Sequence, residues 1–166
     1  MTNNIELKNF SEKEYHRFFK GYRNDPLMDP TEYVYSKEQT ERSFRYNLLR
    51  KDYVTLGIFL QGEPIGSIQL KEINQEQKTC EIGIILQNDS VKRKGYGTAA
   101  MILGIEKAKI EFGILTITAE TKSINSIMRH ILEKLHFQCI EIDPKVYDDG
   151  TDRYCYCLNL PSLDKG

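Results

Sequence analysis

The run Lys92-Arg93-Lys94-Gly95-Tyr96-Gly97-Thr98-Ala99-Ala100 gathers three cations and two glycines at one turn. Glycine lets a backbone approach a ligand closely, and amides that run from such a turn into a helix start converge on an anion. A pyrophosphate suits this chemistry. The plainer alternative is a glycine-containing loop with a solvated basic run.

A rival reading uses the same residues. Gly95-x-Gly97-x-x-Ala100 fits the dinucleotide-binding fingerprint, and Glu120 lies twenty residues beyond Ala100. That fingerprint follows its strand directly, whereas here seven residues separate Gln87 from Gly95. The chain also has too few strand–helix alternations for a doubly wound sheet.

The elements that must position this turn are legible in the pattern. A short strand is predicted near 5–8. Ser11-Glu12-Lys13-Glu14 reads as a capping box opening a helix to about 22, and Ser36-Lys37-Glu38-Gln39 opens another to about 51. Strands over 53–60, 64–73 and 79–87 are joined by hairpin-length turns and should be antiparallel. In the last of these, Cys80, Ile82, Ile84 and Leu86 share one face and Glu81, Gly83 and Ile85 the other. A helix over 95–112, a strand over 114–120, a helix over 123–136 and strands over 137–143 and 153–160 complete a mixed α/β order.

The 166 residues carry a formal net charge of −1, which argues against a general nucleic-acid binder. No window approaches the ~18 apolar residues of a membrane span, and the N-terminal residues lack a signal-peptide core. Cys80, Cys139, Cys155 and Cys157 contain no C-x-x-C, so neither a disulfide framework nor a metal site is expected. The expectation is one cytoplasmic domain over 1–166, without membrane or nucleic-acid partner.

From Glu81 to Phe137 the chain resembles the GNAT (Gcn5-related) N-acetyltransferases. The family's pyrophosphate motif, Q/R-x-x-G-x-G/A, reads here Lys92-Arg93-Lys94-Gly95-Tyr96-Gly97, with lysine in the first place. Lysine keeps the charge and loses the guanidinium fork. The family's N-x-x-[AS]-x-x-x-Y-x-K-x-G-F is met by Asn125, Lys134 and Phe137, while Met128, Leu132 and His136 depart from it. The runs EIGIIL and GYGTAA look most like the branch of ribosomal-protein and spermidine N-acetyltransferases.

The resemblance implies an acyl-CoA N-acyltransferase fold: a central, mostly antiparallel sheet with flanking helices, whose fourth and fifth strands run parallel and splay apart. It implies acetyl-CoA as cosubstrate. Backbone groups of Ile85, Leu86 and Gln87 would hold the pantetheine arm, with the Leu86 amide polarising the thioester. Lys92, Arg93, Lys94, Gly95, Tyr96, Gly97 and Thr98 would hold the pyrophosphate, and Asn125 would meet the cofactor near its pantetheine end. Glu81 stands fourteen positions before Gly95, where histone-acetylating members carry a catalytic glutamate. An amine of pKa ~10.4 must lose a proton before it attacks, at a cost of about 4 kcal/mol at pH 7. Partial burial, or relay through water, would have to raise the basicity of Glu81.

Many relatives use a tyrosine at the position of Leu132 to protonate the departing thiolate. Tyr147 and Tyr154 are candidate substitutes, and a thiol pKa of ~8.5 makes the requirement mild. The acceptor is open: Asp25, Asp29, Glu32 and Glu41 early, and Asp143, Asp148, Asp149 and Asp152 late, suit a cationic amine such as a polyamine or a protein N-terminus, or are solvated loops. A small-molecule or peptide amine is the expected partner, with a homodimer left open. The competing function is a CoA-binding regulatory module that has lost catalysis.

Overall fold

A computed structural model describes residues 4–162. Its strands are β1 (Ile5–Asn9), β2 (Val54–Leu60), β3 (Glu63–Asn74), β4 (Thr79–Leu86), β5 (Thr116–Lys122), β6 (Gln138–Asp143) and β7 (Arg153–Asn159). Among the described residues they form one seven-stranded sheet in the order β1-β2-β3-β4-β5-β7-β6. The helices are α1 (Glu12–Gly21), α2 (Lys37–Leu49), α3 (Tyr96–Phe112) and α4 (Ser126–Lys134).

Local chemistry explains the helix starts. At α1 the Ser11 hydroxyl accepts from the Glu14 amide at 3.1 Å, and the Glu14 carboxylate accepts from the Ser11 amide at 2.9 Å. That is the full capping box expected from the sequence. At α2 only half forms, with the Ser36 hydroxyl accepting from the Gln39 amide at 3.3 Å. Asn125 caps α4, accepting from the Met128 amide at 3.1 Å, so that helix begins at Ser126, later than the expected start at 123.

The sheet divides two apolar layers. Ile68, Leu70, Cys80, Ile82 and Ile117 pack with Met101 and Ala108 of α3 and Leu132 of α4. On the other face Phe10, Tyr15, Phe18 and Phe59 form an aromatic cluster joined by Phe44 of α2 and Ile85 of β4. Strand alternation produces this division, since successive side chains on β4 point to opposite layers.

Every strand pairing is antiparallel except β4 with β5. That parallel pairing lasts for Thr79, Cys80 and Glu81 alone, against Thr116, Ile117 and Thr118. Residues 82–86 remain paired to β3 and have no partner on their other side. The sheet therefore opens into a V at the carboxyl end of β4.

Candidate functional site

Which backbone groups enter the V follows from the β3–β4 register. The Gln87 amide donates to the Ile65 carbonyl at 2.8 Å, and the Ile85 carbonyl lies against Gly66 of β3. Backbone direction alternates along a strand, so the N–H and C=O of Ile84 and Leu86 point away from β3 into the opening. Buried backbone groups need partners. An extended amide-bearing chain laid in the V would supply them.

After β4 the chain makes a 3-10 turn over Asp89–Val91 and reaches the glycine turn. Arg93 has φ 62° and Gly95 φ 82°, both left-handed. Gly95 is the N-cap of α3 and provides no side-chain cap. The first intrahelical bond is Ala99 N–H to Gly95 C=O at 3.2 Å, so the amides of Tyr96, Gly97 and Thr98 lack intrahelical acceptors. Uncapped amides at the positive end of a seventeen-residue helix, beside three cations, fit a diphosphate. Lys92 is held 3.2 Å from Asp89, while Arg93 and Lys94 are exposed.

One cleft of ≈ 420 Å³ joins these features. Ile84, Ile85 and Leu86 form its floor, Lys92, Arg93, Gly95, Gly97 and Thr98 one end, and Asn125, Ile127, Met128 and Ile131 a wall from α4. Tyr22, Arg23, Asn24, Asp25, Met28 and Asp29, from the α1–α2 connection, close the remaining side. A Cβ on Gly97 would stand 3.5 Å from Ile131 Cδ1, 3.9 Å from Ile84 Cδ1 and 4.0 Å from Leu86 Cδ1. That atom would face the apolar wall. Asn125 spends its Oδ1 on the helix cap and still lines the cleft.

Four of the sequence-predicted residues lie outside this lining. Gln87 has both backbone groups engaged, its amide with Ile65 and its carbonyl with the Arg23 amide at 2.8 Å. Lys94 is exposed, and Tyr96 packs against the main apolar layer. Glu81 sits where β4 and β5 are still paired, opposite Lys71 on β3, its carboxylate 3.5 Å from Lys71 Nζ. Burial pushes the Glu81 carboxyl above its ordinary value, Lys71 opposes the rise, and Glu120 and Glu72 add to it. Glu81, Gly83 and Ile85 share a strand face, and Gln69 and Lys71 of β3 cover Gly83 between Glu81 and the cleft floor, with Lys71 Nζ 3.3 Å from where a Gly83 Cβ would stand.

The structure adds residues that the motifs did not single out. Ile84 carries inward backbone groups, which only the β3–β4 register reveals. Met128 and Ile131 fall on one helical stripe with Asn125. Tyr22, Arg23, Asn24 and Met28 carried no chemical signal of their own in the sequence.

Leu132 is fully buried in the apolar layer. Neither Tyr147, whose ring lies 5.0 Å from Lys122 Nζ, nor Tyr154, stacked 4.1 Å under Arg129, lines the cleft. Tyr22 does, and burial foremost, then Asp29 and Tyr33, raises its hydroxyl pKa. Away from the cleft, Glu141, Asp143 and Cys155 bring ligand atoms within 4.8 Å of one another, and Arg153 already binds Asp143 at 3.0 and 2.7 Å. No helix of the described residues is long and apolar enough to cross a membrane.

The family model of the acetyltransferase (GNAT) domain matches residues 4–138. No curated protein sequence matches the chain at a significant level. Solved structures are similar over nearly the whole length. The ribosomal-protein alpha-N-acetyltransferase RimL in complex with coenzyme A superposes with TM-score 0.80 at 19% identity, covering 96% of each chain. A spermidine N-acetyltransferase chimera of Vibrio cholerae and hSSAT gives 0.83 at 14%, covering 94% of this chain and 95% of that one. A Salmonella typhimurium acetyltransferase that modifies the N-terminal serine of a ribosomal protein gives 0.78 at 18%, covering 96% and 97%. The splayed strands, the uncapped glycine turn and the family match agree: the chain belongs to the GNAT acetyltransferases and is an acetyl-CoA-dependent N-acetyltransferase.

Proposed function

We propose that the protein transfers acetyl to a primary amine on a cationic acceptor, by direct attack with both reactants in one cleft. The shared cavity carries this reading, because the anion turn of α3 and the α1–α2 connection line the same space. Acetyl-CoA supplies the activated acetyl thioester. The turn amides and the side chains of Lys92 and Arg93 bind its diphosphate, and Asn125 meets it near the pantetheine end. Inward groups of Ile84 and Leu86 take the extended arm. The Leu86 N–H donates to the oxygen on which charge grows during attack. Glu81 receives the amine proton through water along the strand face it shares with Ile85, where the polar ends of Gln69 and Lys71 lie over Gly83. Among the described residues no cysteine or serine lines the cleft, which favours direct transfer over an acetylated residue.

Asp25 and Asp29 support a cationic acceptor. Each uses Oδ1 on its own turn, accepting from Leu27 N–H and Thr31 N–H at 2.9 Å, and keeps a second oxygen free. Polyamines and protein N-termini, the acceptors named for the similar structures, both meet that requirement.

The test is an amine panel (spermidine, amino-terminal peptides, neutral amines) read by thiol release and product mass. Release with cationic amines and intersecting initial-rate lines is the expected result. Parallel lines would replace direct attack with a covalent intermediate, and preference for neutral amines would remove the role of the two aspartates.

A further inference from the structure

We infer that Asn88 is a positioning residue that fixes the acceptor-side loop against the cofactor turn, using opposite ends of one amide. The inference rests on the two-reactant cleft proposed above.

Its Oδ1 accepts from the Ser90 amide at 3.0 Å and from the Ser90 hydroxyl at 2.5 Å. This caps the 3-10 turn from which residues 92–95 emerge. Its Nδ2 donates to the Gly21 carbonyl at 3.0 Å, across 67 positions of sequence. Gly21 is the last residue of α1, and Tyr22 to Asp25 of the cleft follow it directly.

The neighbouring residue reinforces the junction. Gln87 Nε2 donates to the Phe18 carbonyl at 2.8 Å, and the Gln87 carbonyl accepts from Arg23 N–H. The last carbonyls of a helix lack intrahelical donors, so α1 accepts whatever donors its surroundings provide. Here two amide side chains at the exit of β4 provide them. A Cβ on Gly21 would stand 2.5 Å from Gln87 Nε2, so the contact is close. The end of α1 is thus registered against the strand whose Leu86 amide faces the thioester. A loop released from this junction would present the acceptor at the wrong distance while the anion turn stayed intact.

Two substitutions separate the two ends of the amide. Asn88→Asp keeps the oxygen that caps Ser90 and sets a carboxylate against the Gly21 carbonyl, at the negative end of α1. It should raise the acceptor KM about tenfold and leave the acetyl-CoA Kd within about twofold. Ser90→Ala removes the hydroxyl partner and spares the Gly21 bond, so the acetyl-CoA Kd should weaken with the acceptor KM unchanged. Gln87→Leu, which removes the parallel bond to Phe18, should repeat the Asn88→Asp pattern and decides the matter if that variant fails to fold. An acceptor KM unchanged in both Asn88→Asp and Gln87→Leu overturns the inference. So does an equal shift of KM and Kd, which marks general loosening. Absence of amine turnover by the unsubstituted protein would instead defeat the functional reading.

Discussion

Glu81 and Lys71 are register partners across β3 and β4, and their charged atoms lie 3.5 Å apart on the sheet face that leads to the cleft. A lysine beside a proposed base trades basicity for ionisation. Burial raises the carboxyl pKa and Lys71 draws it back down.

The sign of the pH effect follows. Only the carboxylate accepts the amine proton, so activity should rise with pH through a limb above that of an ordinary glutamate. Lys71→Met removes a charge that favours the carboxylate, so the limb should move to still higher pH with a similar plateau. Glu81→Gln should abolish the limb and lower kcat by about a hundredfold or more while acetyl-CoA affinity stays. Profiles of kcat/KM for the three proteins decide this, and a limb that ignores both substitutions removes Glu81 from proton transfer.

At Gly97 the expected outcome depends on size. The space around its Cβ position is at ordinary contact distance, so Gly97→Ala should bind acetyl-CoA nearly as well as the parent. Gly97→Glu places a carboxylate among Ile84, Leu86 and Ile131, or swings it onto the uncapped amides where the diphosphate belongs. Calorimetry should register loss of binding in a folded Gly97→Glu protein. Unchanged affinity would separate the turn from the cofactor.

Tyr22 is the tyrosine that lines the cleft, yet the leaving thiolate needs little help at a thiol pKa of ~8.5. Tyr22→Phe should therefore cost under about tenfold in kcat, against the ~10²–10⁴ typical of an essential acid. A larger loss, growing with the leaving-group pKa across acyl thioesters, would mean that sulfur departure is limiting and that Tyr22 supplies the proton.

The fold was legible because each element carried its own period and cap. The alternation of residues 79–87 gave the two faces of β4, and the glycine turn marked the start of α3, whose first amides are left uncapped. Two features lay beyond local reading. One is the backbone direction at Ile84, masked because a side-chain pattern conceals which N–H is paired until the register with Ile65 and Gly66 is known. The other is the α1–α2 connection, where Tyr22, Arg23 and Met28 gain meaning only when Gln87 and Asn88 bring α1 against β4. Leu132 is instructive for the opposite reason. A family position suggested a catalytic gap, whereas full burial makes the residue part of the apolar layer. Leu132→Ala should cost about 2–5 kcal/mol in denaturation, and Leu132→Tyr about 1–3 kcal/mol through overpacking, without a gain in rate.

The way α4 ends makes this chain's histidine, which stands where the family pattern has glycine, a weak point. Phe137 N–H donates to Leu132 C=O at 2.9 Å, and His136 N–H donates to Glu133 C=O at 3.0 Å. These are the two bonds of a Schellman termination, and the buried Leu132 and Phe137 side chains are its apolar pair. The residue between them must be left-handed, and His136 is, at φ 71°. A side chain there costs roughly 1–2 kcal/mol that glycine does not incur, partly offset by the ~0.5–1 kcal/mol of extra freedom glycine has when unfolded. His136→Gly should therefore stabilise the fold by up to about 1 kcal/mol, a Tm gain of about 2–4 °C for a chain of this length. His136→Val, β-branched and poorly suited to positive φ, should lower Tm. Because the site lies at the far end of α4 from Asn125, acetyl-CoA affinity should stay constant in both variants. A His136→Gly protein that melts earlier than its parent would show that the histidine ring contributes more by its contacts than its backbone conformation costs.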